Sequence, residues 1–373
     1  MSGGATILLA AGGTGGHLFP AQALAAVLGR IGCRVVLVTD ERVDTYMQDF
    51  PAEEVVTVPS ATPSRRSLPK MALAGLTLGR GVVSSLALLR RLKPALVVGF
   101  GGYPTVPPLI AAQLSGVPTI IHEQNGVMGR ANRLLARRAR LIATGFPEVG
   151  GVPATEARRV HTGNPVRPAV VAAARTLFPS ALRGGKLKLL AFGGSQGARV
   201  MSDVVPAAVE SLPPEFRSRL VVVQQAREED LARVRETYER AGVQAEVAPF
   251  FRDLPQRMAD SHLVIGRSGA STVAELAVIG RPAILVPLPG ALDQDQASNA
   301  RALGAVGAAV VVPQPEFSPE RLAAELRARF EDPDLLTRAA LAAKSAGIAD
   351  AAERLAAEIA VMAKVAIPQG VSQ

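Results

Sequence analysis

Eleven short apolar runs rich in Val, Ile and Leu recur along the chain: ATILLAA (5–11), RVVLVTD (34–40), ALVVGF (95–100), PTIIHE (118–123), RLIATG (140–145), LKLLAFGG (187–194), RLVVVQQ (219–225), AEVAPF (245–250), HLVIGR (262–267), PAILVPL (282–288) and AAVVV (308–312). Helix-length segments separate most of them, so the pattern predicts β-α-β alternation. The runs are continuous where a half-buried strand would alternate. That implies strands buried on both faces, hence parallel sheets covered by helices on each side.

The pattern also repeats. ILLAAGGTGGH (7–17) and LLAFGGSQGAR (189–199) each give a strand, a double glycine, a small hydroxyl residue, a further glycine and a helix start, 182 residues apart. Two such openings predict two Rossmann-like domains in tandem. The periodicity breaks at HTGNPVRP (161–168), which places the domains at 1–162 and 163–349. Residues 350–373 contain an amphipathic stretch, DAAERLAAEIAVMAK (350–364).

Composition narrows the picture. At 373 residues and 48% hydrophobic, the chain is long enough for two cores. A single cysteine, Cys33, excludes a disulfide scaffold and suits a reducing compartment. The N-terminal apolar run lacks a preceding basic stretch, so a strand is expected there and not a signal peptide. The net charge of +9 is concentrated: residues 60–145 carry twelve basic side chains and one acid, Glu123. Such a field attracts polyphosphates, anionic membranes or nucleic acid without choosing among them. No aromatic-rich stacking surface accompanies it, which disfavours nucleic acid. Within this region, KMALAGLTLGRGVVSSLALLRRLK (70–93) is apolar between basic ends. It reads as a core helix, a helix partly facing a membrane, or a marginal span whose central Arg80 costs roughly 2.5–3.5 kcal/mol to insert.

Both glycine loops can present backbone N–H groups and a helix N-terminus to phosphate. A dinucleotide enzyme is the first competitor, with Asp40 as the ribose acid. However, GGTGGHLF lacks the third glycine of G-x-G-x-x-G and has His17 and Phe19 where small residues are expected. His17 opens the first helix, where its imidazole can accept a proton from a bound hydroxyl or simply bond to local backbone. GFGGYPTVPP (99–108) and IIHEQNGVMG (120–129) fall at strand ends, where open α/β sheets hold ligands. HEQN aligns four hydrogen-bonding side chains, more than a turn alone calls for. In the second half, RSGASTVAEL starts a helix near Ala270 to Thr272 with Glu275 in its first turn, and its carboxylate can accept from a ribose diol or act through the helix dipole. Asp293-Gln294-Asp295 matches D-x-D by composition only. No metal-ligand set is evident.

Taken together, GGTGGHLFP, GFGGYPT, HEQNGVMGRANR, TGNPVR, FGGSQGA, RSGASTVAEL and DQDQASNA, in this order over about residues 5–360, resemble the MurG family of UDP-N-acetylglucosamine-dependent N-acetylglucosaminyltransferases of bacterial peptidoglycan synthesis. The resemblance implies a GT-B fold, two Rossmann-like domains facing a central cleft, with residues 350–373 returning to the first. It implies inverting transfer of N-acetylglucosamine to the 4-hydroxyl of an undecaprenyl-diphosphate-linked muramoylpentapeptide, with no metal or organic cofactor. By motif, Thr14, Gly15 and Gly16 would border the transferred sugar and acceptor diphosphate, and Asn125 would touch the donor. Arg167 and Ser195 would serve the nucleotide and its diphosphate, and the backbone of Phe251 would meet uracil. Ala270, Ser271, Thr272, Val273, Ala274 and Glu275 would close over the nucleotide, with Glu275 on the ribose; Gln296 would bind the sugar and His17 would be the base. Two residues depart from the family pattern: Asp295, where His or Gln is usual, and Phe251, in place of a smaller aliphatic residue. The implied location is the cytoplasmic face of the membrane, reached through the basic, apolar patch at 60–145. An enzyme of the same fold acting on glycolipids or natural products is the alternative.

Overall fold

In the computed structural model, the described residues are 4–12, 15–40, 50–62, 68–179, 185–194, 197–290 and 295–366. The chain forms two units, Met1–Arg167 with Ala349–Gln373, and Pro168–Ile348. The first contains β1 (Thr6–Ala10), β2 (Arg34–Thr39), β3 (Glu54–Thr57), β4 (Leu96–Gly99), β5 (Thr119–Glu123), β6 (Leu141–Thr144) and β7 (Arg158–His161). They form one sheet in the order β3-β2-β1-β4-β5-β6-β7, and every pairing is parallel.

Alternate residues of each strand feed opposite cores, as the pleat requires. Ile7, Leu9, Val35, Leu37, Leu96 and Val98 pack with Leu24 and Leu28 of the helix Gly15–Arg30 and with Leu355 and Ile359 of the terminal helix Ala351–Ala363. Leu8, Ala10, Val36, Val38, Val97 and Ile121 pack with Leu88, Leu89 and Leu92 of the helix Leu68–Leu92, with Leu109, and with Leu135. The terminal helix thus completes one face of the first sheet. Its alanines, Ala352 and Ala356, allow close approach to the Gly15–Arg30 helix. The exposed Arg30–Glu353 pair at 2.8 Å adds little.

The second unit contains β8 (Leu187–Phe192), β9 (Leu220–Gln225), β10 (Gln244–Ala248), β11 (Leu263–Gly266), β12 (Ala283–Leu285) and β13 (Ala309–Val311). Their order is β10-β9-β8-β11-β12-β13, again entirely parallel. Buried Arg281 follows the left-handed Gly280 that closes the helix Ala270–Ile279. It donates to the carbonyls of Ala259, Ile279, Gly280, Thr176 and Leu177, tying two helix ends and one loop together. Burial of that guanidinium pulls its pKa down to about 10, against the weaker opposing pull of the Asp260 carboxylate.

All eleven apolar runs contain strands. The two strands not foreseen, β3 and β7, lie at the edges of the first sheet, where Glu54 to Thr57 alternate between half-buried and exposed and Arg158, Arg159 and His161 are exposed. Neither of these two edge strands has a fully buried residue, so neither leaves a continuous apolar run, whereas the edge strands β10 and β13 of the second sheet do lie in apolar runs.

Candidate functional site in each unit

In each sheet the order reverses beside the first strand, between β1 and β4 and between β8 and β11. Ligands of open α/β sheets bind at the carboxyl ends of strands at such switch points. In the first unit three of the motifs converge there. The helix Gly15–Arg30 begins at Gly15, so the backbone N–H groups of Gly15, Gly16 and His17 belong to its unpaired first turn. Gly15 needs no side chain, because a Cβ there would lie 2.8 Å from the Phe19 ring one turn on. The Arg167 guanidinium stacks over the same ring, 4.2 Å from its centroid, a cation–π contact. Thr14 lies outside the described residues.

GFGGYPT forms a wall for His17. Gly101 and Gly102 have φ of 87° and 78°, and a Cβ on either would stand 3.3–3.4 Å from the His17 ring. On the other side His17 Nδ1 lies 3.3 Å from Gln124 Oε1. Gln124 Nε2 is 3.1 Å from His122 Nδ1 and donates to the His122 carbonyl at 3.2 Å, while His122 Nε2 meets the Gly163 carbonyl at 3.0 Å. His122 is fully buried, and burial pushes its pKa down to about 4. It is therefore neutral at physiological pH.

That burial carries a stability prediction. The unfolded histidine binds a proton below about pH 6.5, whereas the folded one binds it only near pH 4. The unfolded state binds more protons between those values, so stability falls as pH falls through that window. The contribution lost is about 3 kcal/mol. Urea unfolding followed against pH will show that His122→Gln removes this part of the acid sensitivity; equal slopes for the two proteins would contradict it.

Glu123 organises the same loop. One oxygen accepts from the Asn125 backbone N–H at 3.0 Å and from Asn125 Nδ2 at 3.3 Å; the other accepts from Gly129 N–H at 3.0 Å and Asn132 Nδ2 at 2.8 Å. Asn164 Nδ2 donates to the Gln124 carbonyl at 2.9 Å and bars any side chain at Gly145, where a Cβ would come within 2.1 Å of its Oδ1. Asn125 is thus held at the rim of the loop, half-buried, by a carboxylate whose four contacts fix the turn.

In the second unit, the glycine loop after β8 has left-handed Gly194 and Gly197, and Gly193 leaves no room for a Cβ beside the Ala198 N–H. Ser195 lies outside the described residues. Gln225 accepts from Gly193 N–H at 3.1 Å and donates to the Pro249 carbonyl at 3.1 Å, linking the ends of β8, β9 and β10. Phe251, just beyond β10, is buried beneath the Arg257 guanidinium at 4.3 Å.

The helix Ala270–Ile279 starts directly after Gly269. Glu275 is consequently its sixth residue, in the second turn and not the first as expected, so the helix-dipole reason for an acid there does not apply. It is buried. Ala270, Ser271, Thr272, Val273 and Ala274 form the opening turns, and the buried Ser271 Oγ has no hydrogen-bond partner among the described residues. Gln296, in the helix Asp295–Ala305, accepts from Leu288 N–H through Oε1 at 3.0 Å, and its carbonyl accepts from Ser268 Oγ at 2.8 Å. Gln296 thereby joins the loops after β11 and β12. Asp293 and Gln294 lie outside the described residues.

Glu123 and Gln124 were marked in sequence only as members of HEQN, and Asn132, Asn164, Gln225, Ser268 and Arg267 were given no positioning role there. Buried Arg267 donates to the Val286 and Pro287 carbonyls at 3.0 and 3.2 Å and to Gln314 at 2.6 Å. The signal for these residues was polarity placed directly after a buried strand.

Residues 7–144 match the Glycosyltransferase family 28 N-terminal domain and residues 188–355 its C-terminal domain. A UDP-N-acetylglucosamine--N-acetylmuramyl-(pentapeptide) pyrophosphoryl-undecaprenol N-acetylglucosamine transferase from Methylobacterium sp. (strain 4-46) is 67% identical over 94% of this chain and 95% of its own length. Its namesake from Rhodopseudomonas palustris (strain ATCC BAA-98 / CGA009) is 57% identical over 96% and 98%. A crystal structure of MurG from Acinetobacter baumannii superposes with a TM-score of 0.77 at 29% identity, covering 95% of this chain and 99% of that one. On the paired glycosyltransferase domains and identity of this extent, the chain belongs to the MurG family of GT-B glycosyltransferases.

Proposed function

We propose that the chain transfers N-acetylglucosamine from UDP-N-acetylglucosamine to the 4-hydroxyl of undecaprenyl-diphosphate-linked N-acetylmuramoylpentapeptide, with inversion at the anomeric carbon. Near-full-length identity of 67% to a transferase named for these substrates carries the reading. The first unit takes the acceptor, with Gly15 and Gly16 at its diphosphate, and the second takes the nucleotide. His17 removes the proton of the attacking hydroxyl as its oxygen bonds to the anomeric carbon and the bond to UDP breaks. The negative charge that develops on the departing diphosphate is met by backbone N–H groups at the start of the helix Ala270–Ile279, by the Ser271 hydroxyl and by Arg167. Glu275 takes the ribose, the Phe251 backbone the uracil, and Gln296 and Asn125 the sugar. Incubation with both substrates and mass analysis of the lipid will show the gain of one N-acetylhexosamine; an unchanged lipid mass would refute the assignment.

The membrane-anchored acceptor requires that the enzyme reach a bilayer surface. The helix Leu68–Leu92 includes an apolar stretch, Met71–Leu92, long enough to cross a membrane, yet Leu88, Leu89 and Leu92 are anchored in the first unit's core. Its earlier turns expose Leu73 and Leu76, and Val83 is 67% exposed. Leu114 and Leu134 are exposed on helices packed on the same side of the sheet. Arg80, Arg90, Arg130, Arg137 and Arg138 are exposed on these elements, while Arg91 is paired with Glu54. Apolar side chains ringed by arginine suit peripheral adsorption to anionic lipid on the cytoplasmic face. Reversing Arg80 and Arg90 to Glu is expected to weaken binding to anionic vesicles at least about tenfold, at roughly 1 kcal/mol per basic residue lost. Turnover of a water-soluble acceptor analogue is expected to stay intact, and equal losses on both would contradict a membrane role.

A further inference from the structure

The hydrogen-bond directions beside His17 carry one step further. The Gly163 carbonyl can only accept, and it receives both the Thr162 hydroxyl at 3.1 Å and His122 Nε2 at 3.0 Å. His122 therefore carries its proton on Nε2. In the neutral ring Nδ1 is then an acceptor, so the Gln124 group 3.1 Å from it must donate. The same Gln124 nitrogen faces the His122 carbonyl at 3.2 Å, a second acceptor. Rotating the amide by half a turn would set its oxygen against both acceptors at once. Gln124 Oε1 is thereby turned toward His17 Nδ1, 3.3 Å away, and an amide oxygen can only accept.

We propose that Gln124, itself oriented by His122, is a positioning residue that holds the neutral His17 imidazole as its Nδ1–H tautomer and leaves the lone pair on Nε2. The inference rests on the reading of His17 as the base. Donation runs unbroken from His17 through Gln124 and His122 to the Gly163 carbonyl, in the turn near the end of the first unit. Each link is neutral, so the chain fixes which nitrogen can accept the acceptor's proton without adding a carboxylate beside the base. The absence of side chains at Gly101 and Gly102 leaves room for the ring beside Gln124, since a Cβ on either would stand 3.3–3.4 Å from it.

The chain has four histidines, which makes nitrogen-15 NMR of histidine-labelled protein assignable. His262 Nδ1 accepts from the Lys188 N–H at 2.9 Å, so His122 and His262 supply internal Nε2–H references. At a pH where the imidazoles are neutral, His17 is expected to be protonated on Nδ1, the opposite of both. In Gln124→Met, which keeps the volume but removes the acceptor, His17 is expected to shift toward Nε2–H. kcat is expected to fall roughly tenfold or more, but by no more than loss of the base itself, with KM for the UDP-sugar unchanged. A wild-type His17 protonated on Nε2, or a tautomer unaffected by Gln124→Met, would overturn the proposal. The wild-type spectrum decides the matter even where the variant fails to fold. Failure of the base assignment reads differently: His17→Ala would then retain turnover whichever nitrogen carries the proton.

Discussion

Replacing His17 by alanine is expected to lower turnover by about 10²-fold or more while leaving the affinity for UDP-N-acetylglucosamine unchanged. The magnitude is that of losing a positioned general base. The separation of the two effects follows from placement: His17 belongs to the first unit, at the ends of β1, β4 and β5, and the nucleotide is assigned to the second. The side chain is half-buried and makes a single side-chain hydrogen bond among the described residues, so the variant should fold normally. Calorimetric titration with the UDP-sugar, beside single-turnover kinetics, gives both quantities. Unchanged turnover would remove His17 from the chemistry. A matching loss of nucleotide affinity would make it a donor contact.

Glu123→Gln is expected to produce the largest loss of stability. Four N–H groups converge on the two carboxylate oxygens, which are buried. An amide replaces one acceptor with a donor, so two buried N–H groups lose their partner and face another N–H. At 1–3 kcal/mol for each, the cost is about 4 kcal/mol, enough to lower the melting temperature of the first unit by about 10 °C. Turnover should fall as well, because Asn125 and the Gln124 carboxamide share this turn. Differential scanning calorimetry checks the first effect. A melting temperature equal to wild type would show that Glu123 does not hold the loop.

The parallel sheets were legible because burial on both faces writes itself as continuous Val, Ile and Leu. Ile7 and Leu8 serve different cores, and both had to be apolar. The edges of the first sheet were not legible, since β7 reads Arg-Arg-Val-His and β3 starts at a glutamate. The locations of the site loops were legible from glycine and polarity at strand ends: GGTGGH, GFGGYPT and HEQN do meet around His17. What composition could not supply was direction. That Gln124 bridges two histidines and that Gly101 and Gly102 border an imidazole depend on contacts between segments about 85 to 110 residues apart, and that Glu123 faces its own loop depends on a backbone turn. The placement of Glu275 one turn too early had a similar origin. A helix start fixed by a glycine cap cannot be located to the residue from periodicity alone.

The most direct test of the whole account is the configuration of the new glycosidic bond. UDP-N-acetylglucosamine is an α-glycoside, and one displacement assisted by one base inverts its anomeric carbon. Proton NMR of the disaccharide lipid formed from both substrates is predicted to show a β-linked N-acetylglucosamine on the muramoyl 4-oxygen. An α linkage, or attachment at any other oxygen, would contradict it.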